Sequence, residues 1–325
     1  MTKYLNLQLF AELNTNTTGT ATLSAENKEF YDKQLIRLAK PNLIHDQFGQ
    51  KRPIPKRGGK KIEFRQFASL PKATTPITEG VTPDGKNLEV TAIEAEVAQY
   101  GDYVVMSDIL DLTAIDPVVV EATEVIGNQA GLTLDTITRN ILHSGTNVYY
   151  CPKKDGTAVT TRAGLDTTCT LTVDVIKRVA AKLKAVNAPK IDGSYVGIIH
   201  PYVAYDLMAD PAWIDVHKYS DATKIFEGEI GKIGGVRFVE TSEAKIFEGG
   251  VFGTLIIGAN AYGVTDIEGG GLQTIVKQLG SAGTADPLNQ RSSVGWKAIK
   301  TAEILIDAYM CRVESKSAFG TVDAN

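Results

Sequence analysis

The stretch that follows Asp116-Pro117 constrains this chain more than any other. Asp116 can cap a helix, and Pro117 falls at the first helical position, where a missing N–H is no loss. Val119, Ile126, Ala130, Leu134, Ile137 and Ile141 then recur at intervals of three, four or seven, the repeat of one helix face. The spacing predicts one helix over 116–142, roughly 40 Å long at about 1.5 Å per residue. Such a helix must lay its stripe along a sheet or a neighbouring helix. Gly127 and Gly131, four apart, leave room for another backbone, while Asn128, Gln129, Asp135 and Arg139 exclude a membrane-embedded contact.

The segments before it read as an arm and a hairpin. Residues 14–22 are small and polar, and Phe30, Leu35, Ile36 and Leu38 give a short helical stripe that Pro41 ends. The opening stretch, with its apolar run broken at Asn6 and Gln8, is a poor signal peptide. No apolar run approaches the roughly 18 residues of a membrane span. Residues 60–68 alternate Ile62 and Phe64 with Glu63 and Arg65, and 88–106 set Ile93, Ala95 and Val97 on one face. The long connection between them carries Pro71, Pro76, Pro83 and the Asp84-Gly85 turn. We read 51–106 as a projecting hairpin with weak support from its own chain, so a partner is implied.

Beyond the long helix the texture becomes mixed α and β. Residues 148–170 are turn-rich. Thr172 caps a helix to about Val186, Tyr195 to Ile199 is a short apolar strand, and His200-Pro201 opens a helix through Met208. Residues 228–240 form a glycine-hinged hairpin, 251–258 a buried strand, and 272–278 with 294–315 supply further strands. The fold class is α+β.

Charge is unevenly divided. The 325 residues carry 34 Lys and Arg against 38 Asp and Glu, a net charge of −4, which argues against a protein that wraps nucleic acid with its whole surface. Yet residues 51–61 hold Lys51, Arg52, Lys56, Arg57, Lys60 and Lys61 with no acid. Residues 79–124 hold eleven acids and one base, Lys86. Each block repels itself unless it faces something opposite. The reading is a head-to-tail contact between copies, with the basic run set against Glu79, Glu94, Glu96, Asp102, Asp108, Asp111, Asp116, Glu121 and Glu124 of a neighbour. The basic run has no aromatic residue, which disfavours a stacking platform for single strands.

Motifs for chemistry are sparse. Gly80 to Lys86 fits GxxxxGK, but Asn87 stands where a Ser or Thr should hold Mg²⁺, and a hairpin tip is not a strand-to-helix turn. Gly231, Gly234 and Gly235 suit a hairpin, and Asp266-Ile267-Glu268-Gly269 lacks the ligand positions of a calcium loop. His45 and His143 fall near helix ends, His200 precedes a proline, and Asp215 and His217 are two apart on a helix and do not face each other. Cys151, Cys169 and Cys311 are odd in number and lack Cys-x-x-Cys spacing, against a disulfide framework or a zinc site. The expectation is no catalytic, cofactor or metal site, and no enzyme.

The order of parts resembles the major capsid protein of tailed bacteriophages (Caudoviricetes) with the Hong Kong 97-type fold. Local strings carry the likeness: Asn6 to Ala11, Tyr100-Gly101-Asp102-Tyr103, His200-Pro201-Tyr202 with Asp210-Pro211-Ala212-Trp213, Gly228 to Gly231 through Val236-Arg237-Phe238, and Val294-Gly295-Trp296-Lys297-Ala298. The resemblance implies an N-terminal arm over 1–50, an extended loop over 51–106, and a peripheral domain of 107–170 and 265–325 with the spine helix 116–142. The axial domain takes 171–264. It implies self-assembly into pentamers and hexamers of an icosahedral shell enclosing phage double-stranded DNA, contacted non-specifically, with no membrane. Each extended loop lies over a neighbour's peripheral domain. Partners are copies of the chain, a separate scaffolding protein and a portal at one vertex. The chain starts too close to its arm for a cleavable scaffolding region, so no maturation cleavage is expected. No Lys–Asn cross-link is predicted. The location expected is the virion capsid, after synthesis in the bacterial host cytoplasm. Alternatives are an encapsulin-like cargo shell on the same fold and, on the residue 80–87 match, a nucleotide-binding enzyme.

Overall fold

The computed structural model describes residues 43–53, 60–67, 70–77, 79–80, 82, 84–113, 118–213, 231–265, 272–281 and 286–325. The arm helix, the Asp116-Pro117 start, the Asp215–His217 pair and the 266–269 turn lie outside these residues.

In chain order the strands and helices are β1 (Gln50–Arg52), β2 (Lys61–Phe67), β3 (Val90–Glu96), β4 (Ala98–Ser107), α1 (Asp108–Thr113), α2 (Val118–Leu142), β5 (Val148–Tyr150), α3 (Val173–Ala185), β6 (Tyr195–Ile199) and α4 (Pro201–Met208). There follow β7 (Lys232–Ile233), β8 (Val236–Glu240), β9 (Ile246–Phe247), β10 (Val251–Ile257), β11 (Tyr262–Thr265), β12 (Leu272–Lys277), β13 (Arg291–Lys300), β14 (Ala302–Ile304) and β15 (Met310–Ser315). Among the described residues, the strands form four sheets.

The largest sheet runs β5-β15-β10-β6-β8-β7, with β9 pairing β10. Every residue of β6 and β10 is buried, which is why both read as continuous apolar runs rather than alternating ones. One face packs on α3 and α4 through Ile176, Val179, Leu183, Val203 and Leu207. The other, with Val196, Ile198, Leu255, Ile257 and Met310, packs on Leu142 and Tyr262. The C-terminal β15 sits between β5 and β10, so the last strand joins elements distant in the chain.

Helix α2 packs on a second sheet, β12-β13-β4. Ile126, Ala130 and Leu134 of α2 pack against Leu272, Val294, Trp296, Ala298 and Met106, together with Leu43. Gly127 and Gly131 are buried, as close approach requires. A third sheet, β1-β11-β14, carries the start of the basic run on its edge.

The hairpin differs from its expected outline. The strand read as 88–106 breaks at Val97: β3 pairs with β2, while β4 pairs with β13 over Ala98–Ser107. Only β2 and β3 form the two-stranded hairpin. Its root is better held than two bare strands allow. Phe64 stands over Gly263 of β11 so closely that a Cβ there would lie 2.2 Å from the ring. Ile62, Phe64 and Ala95 are buried, with Leu305 against them.

Candidate functional site

The charged segments were the candidate site, and the hairpin register sets part of their geometry. Lys61 faces Glu96, and Glu63 faces Glu94. Directly opposed carboxylates repel, and neighbouring cations offset this: Lys61 Nζ lies 2.5 Å from Glu94, and Arg65 Nε 3.2 Å from Glu63. All are exposed. The Lys61 ammonium is pushed up by its hydrogen bond to Glu94. Three members of the two blocks, Lys61, Glu94 and Glu96, therefore meet within one hairpin.

The others stand apart. Lys51 and Arg52 lie in β1 opposite Val264 and Thr265; Lys51 is exposed, and Arg52 half-buried. Lys60 and Glu79 are exposed. Lys56, Arg57 and Asp116 lie outside the described residues, as does the side chain of Asp111. Asp108 accepts from the Ile109 N–H at 2.8 Å. Glu121 and Glu124 are exposed in the first turns of α2, where the helix dipole favours an acid.

Asp102 belongs to a different structure. It accepts from Gln129 Nε2 of α2 at 2.7 Å and from the Tyr103 N–H at 2.8 Å. Gln129 Oε1 accepts from Trp296 Nε1 at 3.3 Å. These bonds hold the Asp102 carboxyl below the usual range, Gln129 contributing most. Gln129 thus ties β4, β13 and α2 together. The ladder pairs Tyr100 with Ala298, Gly101 with Lys297, Asp102 with Trp296 and Tyr103 with Gly295. A Cβ on Gly295 would meet Tyr103 at 2.7 Å, and one on Gly101 would meet the Trp296 carbonyl at 2.6 Å.

Sequence reasoning missed a buried polar lock where the arm enters the fold. Asp135 of α2 accepts from the His45 N–H and lies against His45 Nδ1, both at 2.7 Å. Thr138 donates to Asp46 at 2.6 Å, and Lys300 from β13 pairs with the same carboxylate. Tyr262 of β11 donates to the His45 carbonyl. All six residues are buried. His45, read only as lying near a helix end, is one wall of this lock. One signal was available: Val294, Trp296 and Ala298 point inward, and the two-residue period of a strand puts Lys300 on the same face.

A second buried charge sits in β15. Glu314 is paired by Arg162, with both contacts at 2.7 Å, and by Arg312 Nε at 2.9 Å. The Arg162 guanidinium lies 3.7 Å over the Phe247 ring. His143 meets the same ring edge-on. Burial holds its imidazole well below the usual range, with His45, Arg312, Arg139 and Lys245 adding to the effect.

The enzyme-like strings take structural places. After Lys86 the chain runs into β3 and no helix starts there. Gly234 and Gly235 turn β7 into β8 at φ 60° and 91°. His200 caps α4, accepting from the Tyr202 N–H. Among the described residues, no three His, Cys, Asp or Glu side chains cluster to hold a metal.

A family model described as phage capsid protein matches residues 115–294, more than half of the chain. The chain belongs to that family. This capsid protein also shares its fold with solved shells. It is 14% identical to the capsid of cyanophage P-SCSP1u, with a TM-score of 0.66 over 85% of this chain and 89% of that one. For the head of Helicobacter pylori bacteriophage KHP40 the identity is 13%, the TM-score 0.61 and the coverage 84% and 88%. For the capsid of Ralstonia phage GP4 the values are 15%, 0.60, 82% and 86%. No curated protein matches the sequence significantly. The fold is the Hong Kong 97 type, and the protein is a structural major capsid protein. The family match does not favour the encapsulin alternative.

Proposed function

We propose that copies of this capsid protein assemble into pentamers and hexamers of an icosahedral shell around double-stranded DNA, which they contact non-specifically. The family match across 115–294 carries the reading. In it, 171–264 forms the axial domain toward capsomer centres, and 107–170 with 265–325 forms the peripheral domain. The arm is 1–50, and the loop 51–106 lies over a neighbour. A separate scaffolding protein and a portal complete the particle, in the cytoplasm of a bacterial host. The test is to purify particles from producing cells. The expectation is this chain as the dominant protein of DNA-filled particles with five- and six-fold clusters. An enzyme cargo without nucleic acid overturns it.

The electrostatic contact between copies is part of the proposal. Lys61 is engaged by Glu94 of its own hairpin, so the bases left for a neighbour are Lys51, Arg52, Lys56, Arg57 and Lys60. Exposed pairs contribute about 0–1 kcal/mol each, so the effect arises by repetition around a shell. Reversing Lys56, Arg57 and Lys60 to Glu is expected to leave folded, soluble subunits that fail to assemble. Normal shells in moderate salt would refute this contact.

A further inference from the structure

The sheet β12-β13-β4 ends in a strand that lacks the usual protections of an edge. Edge strands are commonly kept from pairing by short length, Lys, Pro or a bulge. β4 is ten residues long with no Lys and no Pro, and its one charge, Asp102, faces α2 and is bonded to Gln129. Among the described residues, no strand pairs with its outer edge. The edge is also apolar: Tyr103, Val104 and Val105 are 68%, 43% and 50% exposed.

The parity of β4 defines two faces. Tyr100, Asp102, Val104 and Met106 lie toward α2, and Tyr103 and Val105 point away. Val104 is therefore open although it lies on the helix side. Beside it runs a stripe of α2. Gln129, which touches β4, has Val125 four residues before it and Leu132 three after, 65% and 38% exposed. The helix and the strand edge form an apolar groove wanting a strand with one apolar face.

One segment outside the described residues has that pattern. Tyr4-Leu5-Asn6-Leu7-Gln8-Leu9-Phe10 alternates three leucines with two amides and contains no Pro, Gly or charge. The other long undescribed stretches have a helical stripe (24–40) or scattered charges (214–230). We propose that residues 5–9 add as a strand to the free edge of β4, with Leu5, Leu7 and Leu9 covering Val104, Val125 and Leu132. The leucines span about 13 Å at roughly 3.3 Å per residue. Val125 and Leu132 are about 10 Å apart along the helix axis. Reach is ample: the chain from Phe10 to Leu43 can extend to about 100 Å, enough for its own subunit or a neighbour. Leu43 is already packed against the core of this sheet.

The test uses the full chain with cysteine pairs, its three native thiols being buried. Val104→Cys is combined with Leu5→Cys, Leu7→Cys or Leu9→Cys, and as controls with Asn6→Cys or Gln8→Cys. Cross-linking with one or more leucine positions and loss of it at the amide positions supports the inference, whether the product is a faster-migrating monomer or a dimer. Equal yields at both parities, or none at the leucines, overturn it. Hydrogen exchange supplies a second measurement. Deleting residues 2–12 should remove protection from those amides of 98–107 that face away from β13, and leave the amides bonded to β13 and those of 118–142 unchanged. Protection of the outward-facing β4 amides that survives the deletion means another strand holds the edge, and the inference fails.

Discussion

Lys300 and Asp46 form an ion pair held out of water, which ties the chain at Asp46 to β13. Removing one partner of a buried pair leaves the other uncompensated, a loss of about 3–5 kcal/mol. Lys300→Ala is expected to lower stability by that amount in urea unfolding, and Lys300→Met with Asp46→Leu should recover most of it. His143 adds a pH term. Its folded-state imidazole titrates below the ordinary 6.5 because burial disfavours the cation. Above 6.5 both states are neutral, and the stabilisation is complete. As pH falls, the unfolded chain binds a proton that the folded one refuses, and up to about 1.4 kcal/mol per pH unit is lost. The groups facing His143 are Phe247, Arg312, Arg139, Lys245 and His45, so no carboxylate among them stabilises a cation. His143→Gln should flatten denaturation midpoints between about pH 6.5 and 5. At this scale the sequence was least legible. A lysine in a strand or an aspartate on a helix has the same letter whether solvated or locked, and the partners here lie far apart in the chain.

Single contacts decide how elements meet. The ring of Phe64 occupies the space a side chain at Gly263 would need, so the hairpin root and β11 fit only with glycine there. Phe64→Ala should cost about 3–5 kcal/mol, and Gly263→Val should free the hairpin while sparing α2. Limited proteolysis checks this, with early cleavage within 60–97 and an intact 118–142. Asp210 ties another joint, accepting from the Val173 N–H at the start of α3 and from the Ala212 N–H. Asp210→Ala should lower the thermal midpoint by the equivalent of about 1 kcal/mol, the usual worth of a cap. Most elements were legible in the sequence because their signals are local. Thr172 and His200-Pro201 mark helix starts, Tyr195–Ile199 is an apolar run between turns, and glycines punctuate 231–235. The break at Val97 was not, since β3 and β4 are continuous in pattern and divide only by choosing different partner strands. The strings that carried the family likeness are mainly joints: Tyr100–Tyr103 and Gly295–Ala298 are two sides of one ladder.

For the whole molecule, the described members of the two charged blocks are mostly exposed: Lys51, Lys60, Lys61, Glu79, Glu94, Glu96, Asp102, Glu121 and Glu124 all are. Assembly by such contacts weakens as salt screens them, so particle yield should fall with rising ionic strength while circular dichroism of the free subunit stays constant. The thiols report the opposite kind of surface. Cys151, Cys169 and Cys311 are buried and unpaired, and burial pushes Cys311 up to about 11 and Cys151 higher still. A thiol reagent should find no reactive group in the native subunit and three after denaturation. The capsid likeness could be read from the sequence, whereas strand order could not. Pairing of β15 with β5 joins Arg312 to Val148, across half the chain. That pairing also sets a clock for synthesis. β15 lies inside the largest sheet, between β5 and β10, so no nascent chain completes that sheet until Met310–Ser315 has been made. A product that stops short of Met310 lacks the strand that joins β5 to β10 and cannot close that sheet.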